Sequence, residues 1–271
     1  MRSALRAIRI IHPFPSVLVA ATAVVLVAVA DAAASVRVYV GIGLGMLLYQ
    51  ATIGAANDII DIESDRILKP WKPLISGAVS RRTAMAVTVF ACVAGLGVTA
   101  ILPWEAWLLG VACLGCGLAY DLRLKRTRWS WTPYSLAFSL LPVWVFVAAE
   151  AWSGLLWWVF PLGAVLGFAL HLSNQAPDVA APEADYMGLP SSMGAARSDA
   201  TAVISFVLAA TGATTVLALA GHVVPAWIAA AIGVFVLVMS PVARRSTVPT
   251  ALFGLLAFGA AGLSVAFLWA A

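Results

Sequence analysis

Nine long apolar stretches dominate this chain and restrict what it can fold into. Each is close to the ~20 residues that a helix needs to cross the hydrocarbon core of a bilayer. Their apolar runs are continuous, unlike the alternating pattern of strands in a transmembrane barrel. Hydrophobic residues make up 63% of the chain, against roughly 45–50% in soluble domains. The sequence therefore predicts an all-α, polytopic membrane protein that forms one domain over residues 1–271, with membrane helices over 15–34, 37–56, 83–102, 104–120, 131–149, 153–173, 200–220, 223–241 and 248–270.

The basic residues predict the orientation of this helical bundle. With nine membrane helices, the sixteen Lys and Arg residues all fall on one side of the membrane except Arg37. Basic residues collect on the cytoplasmic side, so we expect the amino terminus inside and the carboxyl terminus outside. The net charge of +4 fits contact with anionic membrane lipid and requires no nucleic-acid partner. The first apolar run is long enough to span the membrane and is not interpreted as a cleavable signal.

A cluster of acidic residues follows the second apolar stretch. Four carboxylates lie within the eight residues from Asp58 to Asp65, although only 10% of the chain is charged. Asn57, Asp61 and Asp65 are spaced i, i+4 and i+8, so on a helix they share one face. A bound cation relieves the repulsion between like charges at this spacing, and Mg²⁺ prefers such oxygen ligands. Asp58 lies about 100° from that face and is interpreted as a partner of nearby basic residues.

A second polar segment repeats this spacing after the sixth apolar stretch. Asn174 and Asp178 are again four residues apart, followed by Glu183 and Asp185. The two Asn-xxx-Asp segments each follow an even-numbered helix, which indicates two four-helix pseudo-repeats plus a ninth helix.

A third polar segment, Tyr120–Arg128, carries four bases within six positions after the fourth apolar stretch. Arg and Lys can bind a diphosphate as a planar fork and as a point charge, respectively. Two acidic segments facing each other beside such bases are suited to ionising an allylic diphosphate. The surrounding apolar helices would keep the resulting carbocation away from water.

These motifs resemble the UbiA superfamily of intramembrane prenyltransferases. The resemblance covers nearly the whole chain. Its first motif, NDxxDxxxD, is complete at Asn57, Asp58, Asp61 and Asp65. Three further segments are similar to the family pattern: Arg9 with His12-Pro13, the KPWKPL-SG segment from Lys69 to Gly77, and the YxxxLKR segment from Tyr120 to Arg126.

The resemblance implies Mg²⁺-dependent prenyl transfer and a role for each matching residue. The implied metal ligands are Asn57, Asp61, Asp65, Asn174, Asp178 and Asp185. The implied diphosphate-binding residues are Arg66, Lys69, Lys72, Arg123 and Lys125, and the implied catalytic residues are Asp61, Asp65, Asp178 and Tyr120. The family's second motif usually reads DxxxD, but this chain has Pro182 at the second Asp. Either Asp185 or Glu183 is then expected to complete the second metal site.

The expected partners are a prenyl diphosphate, a small aromatic or lipophilic acceptor, and membrane lipid, with the site on the cytoplasmic side of a bacterial cell membrane. A terpene cyclase remains the alternative, because it would ionise the same diphosphate without an acceptor. A transporter is disfavoured, since it would place charges near the middle of the membrane and these charges lie at helix ends. Cys113 and Cys116 are interpreted as packing residues, and His12, His171 and His222 as structural residues.

Overall fold

The computed structural model describes residues 8–179 and 188–271. Over those ranges the chain is helical and has no β-strand, which confirms the predicted all-α fold. A 3₁₀ turn at Arg9–Ile11 leads into the first of eleven α-helices in the described chain. They are α1 (Pro13–Ala30), α2 (Val36–Ile60), α3 (Ile62–Leu68), α4 (Arg81–Thr99), α5 (Trp104–Ala119), α6 (Thr132–Ala148), α7 (Val159–Val179), α8 (Leu189–Met193), α9 (Ala195–Leu219), α10 (Val223–Arg244) and α11 (Ala251–Leu268).

Eight of the described helical segments are long and apolar enough to cross a membrane. Two of these segments include turns that flank a helix: α5 continues to Leu124, and α7 is preceded by the 3₁₀ turn at Gly154–Trp158. The remaining long helix, α6, is apolar but has only 17 residues. Each of the nine predicted apolar stretches coincides with one long helix. The chain is therefore a multi-pass membrane protein, and a ninth crossing by α6 stays a prediction.

The end of α2 differs from the prediction in a way that matters for the site. The apolar stretch ends at residue 56, but the helix continues to Ile60, so Asn57 and Asp58 are helical. Their polar side chains have partners inside the protein. Because the Asn57 amide and Asp58 Oδ1 contact other protein groups, the helix does not have to end where the apolar residues end.

The long helices pack mainly on their neighbours in the chain, and α11 returns to pack on α1. The contact between α6 and α7 is especially close. A Cβ atom added at Gly167 would lie 2.5 Å from the Tyr134 carbonyl oxygen, and one at Gly163 would lie 2.8 Å from the Phe138 oxygen. The Ser135 hydroxyl donates across this contact to the Ala164 carbonyl oxygen at 2.8 Å. This packing holds the carboxyl-terminal half of α7 beside Tyr134.

Candidate active site

The predicted stripe of oxygen ligands is present on α2 and α3, although the helix is interrupted at Asp61. The backbone N–H of Asp61 donates to the Asn57 carbonyl oxygen at 2.9 Å, and that of Asp65 donates to the Asp61 oxygen at 2.8 Å. The N–H of Lys69 continues the series to the Asp65 oxygen at 2.8 Å. The four-residue periodicity therefore survives the interruption. Asp61 and Asp65 are both buried, at 5% and 3% exposed.

Two lysines contact the acids of this segment. Lys72 Nζ lies 2.6 Å from Asp65 Oδ2 and 2.8 Å from Asp58 Oδ1, and Lys125 pairs with Asp61. Burial disfavours the charge of Lys72, but the adjacent Asp58 and Asp65 outweigh it and raise the pKa of Lys72 above its ordinary value. Burial also raises the pKa of Asp65, and Lys72 only partly offsets this. Asp61 and Lys69 also act electrostatically on Asp65, so these carboxylates and ammonium groups form one charge network.

The second polar segment joins this network through Lys69. Asn174 and Asp178 lie in the last two turns of α7. Lys69 Nζ donates to the Asp178 carboxylate at 2.8 Å, although the two residues are 109 positions apart. The Asn174 amide donates to the Tyr134 hydroxyl at 2.9 Å. The structure therefore brings the α2–α3 and α7 segments together. Asp185 and Glu183 lie outside the described residues.

The third polar segment begins with a π-helical turn over Tyr120–Leu124. The N–H of Lys125 donates to the Tyr120 carbonyl oxygen at 2.8 Å, five residues back. Such turns are rare and often occur at functional sites. Asp121 Oδ1 accepts a hydrogen bond from the Asn57 amide at 2.8 Å. The ring of Tyr120 meets the ring of Tyr134 edge-on, with centroids 5.1 Å apart.

Two of the predicted diphosphate-binding residues lie outside this network. Arg66 is exposed and pairs with the exposed Glu63 at 3.1 Å. Arg123 is also exposed. Neither lines the cavity described below, whereas Lys69, Lys72 and Lys125 do. Arg66 is one residue beyond the inward-facing Asp65, so helical geometry turns it about 100° away.

A cavity of about 350 Å³ lies next to the charge network. Asn57, Asp121, Asn174 and Asp178 line it together with the three lysines and with Tyr120 and Tyr134. Its other walls are mostly apolar and come from α1, α2, α5, α6, α7 and α11, with residues such as Leu18, Met46, Leu114, Phe138 and Phe253. The arrangement places a charged group of a ligand beside the network and leaves apolar space for a hydrocarbon tail.

The donor atoms of the site fit Mg²⁺ ions that are bound together with a phosphate ligand. Within residues 8–179 and 188–271, no three His, Cys, Asp or Glu side chains converge closely enough to hold a metal by themselves. Mg²⁺ commonly binds through one or two carboxylates and completes its shell with water and substrate phosphate. The two Asn-xxx-Asp segments supply donors of this kind. Five carboxylates (Asp58, Asp61, Asp65, Asp121 and Asp178) stand against three lysines and the exposed Arg126, which lies 3.9 Å from Asp61, leaving negative charge for cations to neutralise.

Three residues of the site, Tyr134 among them, were not assigned to it from sequence. In the sequence Asp121 is a single acid within a basic segment, which predicts no role for it. Its contact with Asn57 joins residues 64 positions apart. His12 was interpreted as structural, but it lines the cavity, and its Nε2 lies 2.9 Å from Asp58 Oδ1. The signal in the sequence that could have assigned His12 to the site was its place in the His12-Pro13 pair, which is similar to the family pattern. The interpretation of His171 as a hydrogen-bonded histidine agrees with its buried contact to the Ser130 hydroxyl at 3.0 Å.

Solved structures share this fold. A UbiA homologue from Archaeoglobus fulgidus, bound to GPP and Mg²⁺, superimposes with a TM-score of 0.75. That alignment covers 96% of this chain and 99% of the homologue, at 17% sequence identity. At this identity the similarity shows the fold alone.

Curated relatives match over shorter segments. The 2-acyl-4-prenylphloroglucinol 6-prenyltransferase of Humulus lupulus is 30% identical over 151 residues, covering 49% of this chain and 36% of that enzyme. The digeranylgeranylglyceryl phosphate synthase of Metallosphaera sedula is 36% identical over 80 residues, covering 30% of this chain and 28% of that enzyme. The chain thus spans about a third of the length of these two relatives.

The family model covers far more of the chain than these pairwise matches. The UbiA prenyltransferase family model matches residues 17–253. This range includes both Asn-xxx-Asp segments, the π-helical turn and the three lysines of the cavity. The chain belongs to the UbiA prenyltransferase family.

Proposed function

We propose that this protein transfers an isoprenoid chain from a prenyl diphosphate to an aromatic or similarly electron-rich acceptor, in a Mg²⁺-dependent reaction within the membrane. The observation that carries this proposal is the meeting of two Asn-xxx-Asp segments, linked by Lys69 and Asp178, beside a largely apolar cavity. Family membership supports it, as does the GPP and Mg²⁺ bound by the A. fulgidus homologue of the same fold.

In this proposal the polar end of the cavity holds the diphosphate. The metal ligands would be Asn57, Asp61, Asp65, Asn174 and Asp178, with Asp185 as the candidate that completes the second set. Bound Mg²⁺ would neutralise the negative charge that develops on the departing diphosphate. Three lysines line the cavity: Lys69, Lys72 and Lys125. They would donate hydrogen bonds to the oxygens of the diphosphate.

The apolar walls hold the hydrocarbon tail and exclude water from the allylic cation. Tyr120 and Tyr134 line the cavity. The electron-rich faces of their rings can stabilise the cation. Asn174 fixes the Tyr134 hydroxyl. Tyr120 is therefore assigned to the reacting end of the donor and not to the diphosphate.

Two acceptor chemistries follow from the names of the relatives. The Humulus lupulus enzyme is named for a prenylated acylphloroglucinol, and the Metallosphaera sedula enzyme for a glyceryl phosphate lipid. Both acceptors can present an electron-rich centre to an allylic cation, but only the first is aromatic. We favour the aromatic class, since Tyr120 and Tyr134 line the cavity and, among the described residues that line it, the only lysines or arginines are the three lysines assigned to the donor diphosphate.

The test is a panel of dimethylallyl, geranyl, farnesyl and geranylgeranyl diphosphates, given to the purified protein with phenolic acceptors, with geranylgeranylglyceryl phosphate, or without an acceptor. We expect Mg²⁺-dependent release of diphosphate and a prenylated phenol. A cyclic hydrocarbon formed without acceptor would instead show a terpene cyclase. Transfer only to geranylgeranylglyceryl phosphate would replace the aromatic class by the lipid class.

A further inference from the structure

His12 has a backbone conformation that few residues adopt. Its φ of 48° and ψ of 64° place it in the left-handed region, and Glu150 is the only other non-glycine residue with positive φ in the described chain. Residues before a proline ordinarily take an extended conformation, and His12 precedes Pro13. Unusual backbone conformations of this kind persist where surrounding contacts impose them, and they cluster at functional sites.

The ring of His12 contacts two residues of α2, Asp58 and Gly54. Asp58, a residue only 1% exposed, has its Oδ1 at 2.9 Å from His12 Nε2 and at 2.8 Å from Lys72 Nζ. The ring packs over Gly54, where a Cβ atom would lie 3.3 Å from two ring carbons. Because the Asp58 carboxylate accepts a hydrogen bond from Nε2, Nδ1 is the other ring nitrogen that can take up a proton.

This histidine lies beside the reaction site and remains accessible from it. His12 lines the same cavity as Asn57 and Lys69, and its side chain is 32% exposed. The other two histidines differ: His171 is fully buried against Ser130, and His222 precedes α10 and does not line the cavity. A neutral imidazole oriented by a carboxylate is the usual form of a general base.

Transfer to an aromatic acceptor requires such a base. The C1–O bond of the donor breaks, and its electron pair leaves with the diphosphate. The acceptor carbon then bonds to C1, and the acceptor must lose one proton. Asp61, Asp65 and Asp178 are each engaged by a lysine, and Asp121 Oδ1 accepts a hydrogen bond from the Asn57 amide. These carboxylates are therefore already held by partners at the donor end of the site.

We propose that His12 accepts the acceptor's proton on Nδ1 and passes it to water, with Asp58 as the residue that positions the imidazole. The proposal rests on the proposed prenyl transfer to an acceptor. It adds a catalytic residue that acts on the acceptor, whereas the lysines and the Asn-xxx-Asp segments act on the donor. Loss of His12 should therefore affect proton removal more than ionisation of the diphosphate.

The variants distinguish loss of the basic nitrogen from loss of the folded structure. His12→Gln keeps an amide donor that can reach Asp58 but has no basic nitrogen. His12→Gly accommodates the positive φ and leaves space for added imidazole. His222→Gln is the matched control, because it removes a histidine away from the cavity. Thermal unfolding of each purified protein shows whether the bundle is intact.

The experiment follows geranyl diphosphate and a phenolic acceptor that the wild-type protein prenylates, measuring diphosphate release, free prenyl alcohol and prenylated phenol. We expect His12→Gln to lower formation of prenylated phenol by ~10²-fold or more, to lower diphosphate release much less, and to divert product to the alcohol. Imidazole should partly restore His12→Gly. An equal fall in prenylated phenol and in diphosphate release, or weaker binding of geranyl diphosphate, would assign His12 to the donor and overturn the proposal.

Failure of the wild-type protein to prenylate any acceptor, with diphosphate still released, would instead refute the proposed function itself. Normal prenylation by both His12 variants would refute only the role of His12.

Discussion

Lys72 is the residue that most directly balances the buried acids of the site. It contacts Asp58 and Asp65 and comes within 3.5 Å of Asn57 Oδ1. Lys72→Gln would leave two buried carboxylates without this counter-charge. Removing one partner of a buried ion pair costs about 3–5 kcal/mol, and loss of the ammonium group also weakens diphosphate binding.

We therefore expect Lys72→Gln to lower the thermal unfolding temperature and to raise KM for geranyl diphosphate. Arg82→Gln, at the exposed start of α4, is the control and should change neither quantity. Wild-type stability and KM in Lys72→Gln would contradict the charge network described above.

The residue types of the site could be predicted from sequence, but several of their contacts could not. The four-residue spacing of Asn57, Asp61 and Asp65 is local information, and the structure preserves it. The contacts of Asn57 with Asp121 and of His12 with Asp58 join residues 64 and 46 positions apart, so they depend on how the helices pack. For Arg66, residue type and position disagree. Its charge suits a diphosphate ligand, but its position on the helix turns the side chain outward.

Among the helices, the contact of α6 with α7 holds Asn174 of the second segment beside Tyr134. Gly167→Ala would place a Cβ atom 2.5–2.7 Å from backbone atoms of Tyr134 and Ser135, which cannot move independently of α6. Overpacking of this kind costs about 1–3 kcal/mol. We expect reduced thermal stability and reduced prenyl transfer, because Tyr134 and Asn174 would be displaced.

Gly115→Ala in α5 is the matched control, since no atom lies within 4 Å of the added Cβ. It should be as stable as the wild type. Equal effects of the two substitutions would show that the close helix contact does not position the site.

The existence of the long helices follows from composition, whereas their ends do not. Apolar runs predicted every long helix, because the bilayer requires such runs. The last turn of α2 is polar and is stabilised by partners from other segments, so the apolar pattern ends before the helix does. The π-helical turn after α5 had no signal in the periodicity of hydrophobic residues.

For the molecule as a whole, the distribution of basic residues predicts a site that faces the cytoplasm. Cysteines introduced at Ala33 and Ser246 test this, because both positions are exposed and lie in turns at opposite ends of the bundle. The three native cysteines are first replaced by alanine. In intact cells, a membrane-impermeant maleimide should label the cysteine at position 33, and the one at position 246 only after permeabilisation. The reverse pattern would contradict the proposed orientation.

The central claim is that Asp61, at the junction of α2 and α3, and Asp65, in α3, hold Mg²⁺ on a leaving diphosphate. Asp61 and Glu63 offer a matched pair, since Asp61 is buried in the charge network and Glu63 is exposed two residues away. The measurement is Mg²⁺-dependent release of diphosphate from geranyl diphosphate by purified Asp61→Asn and Glu63→Gln proteins that remain folded. We predict a loss of ~10²-fold or more for Asp61→Asn and near wild-type rates for Glu63→Gln. Wild-type release by Asp61→Asn would contradict the account.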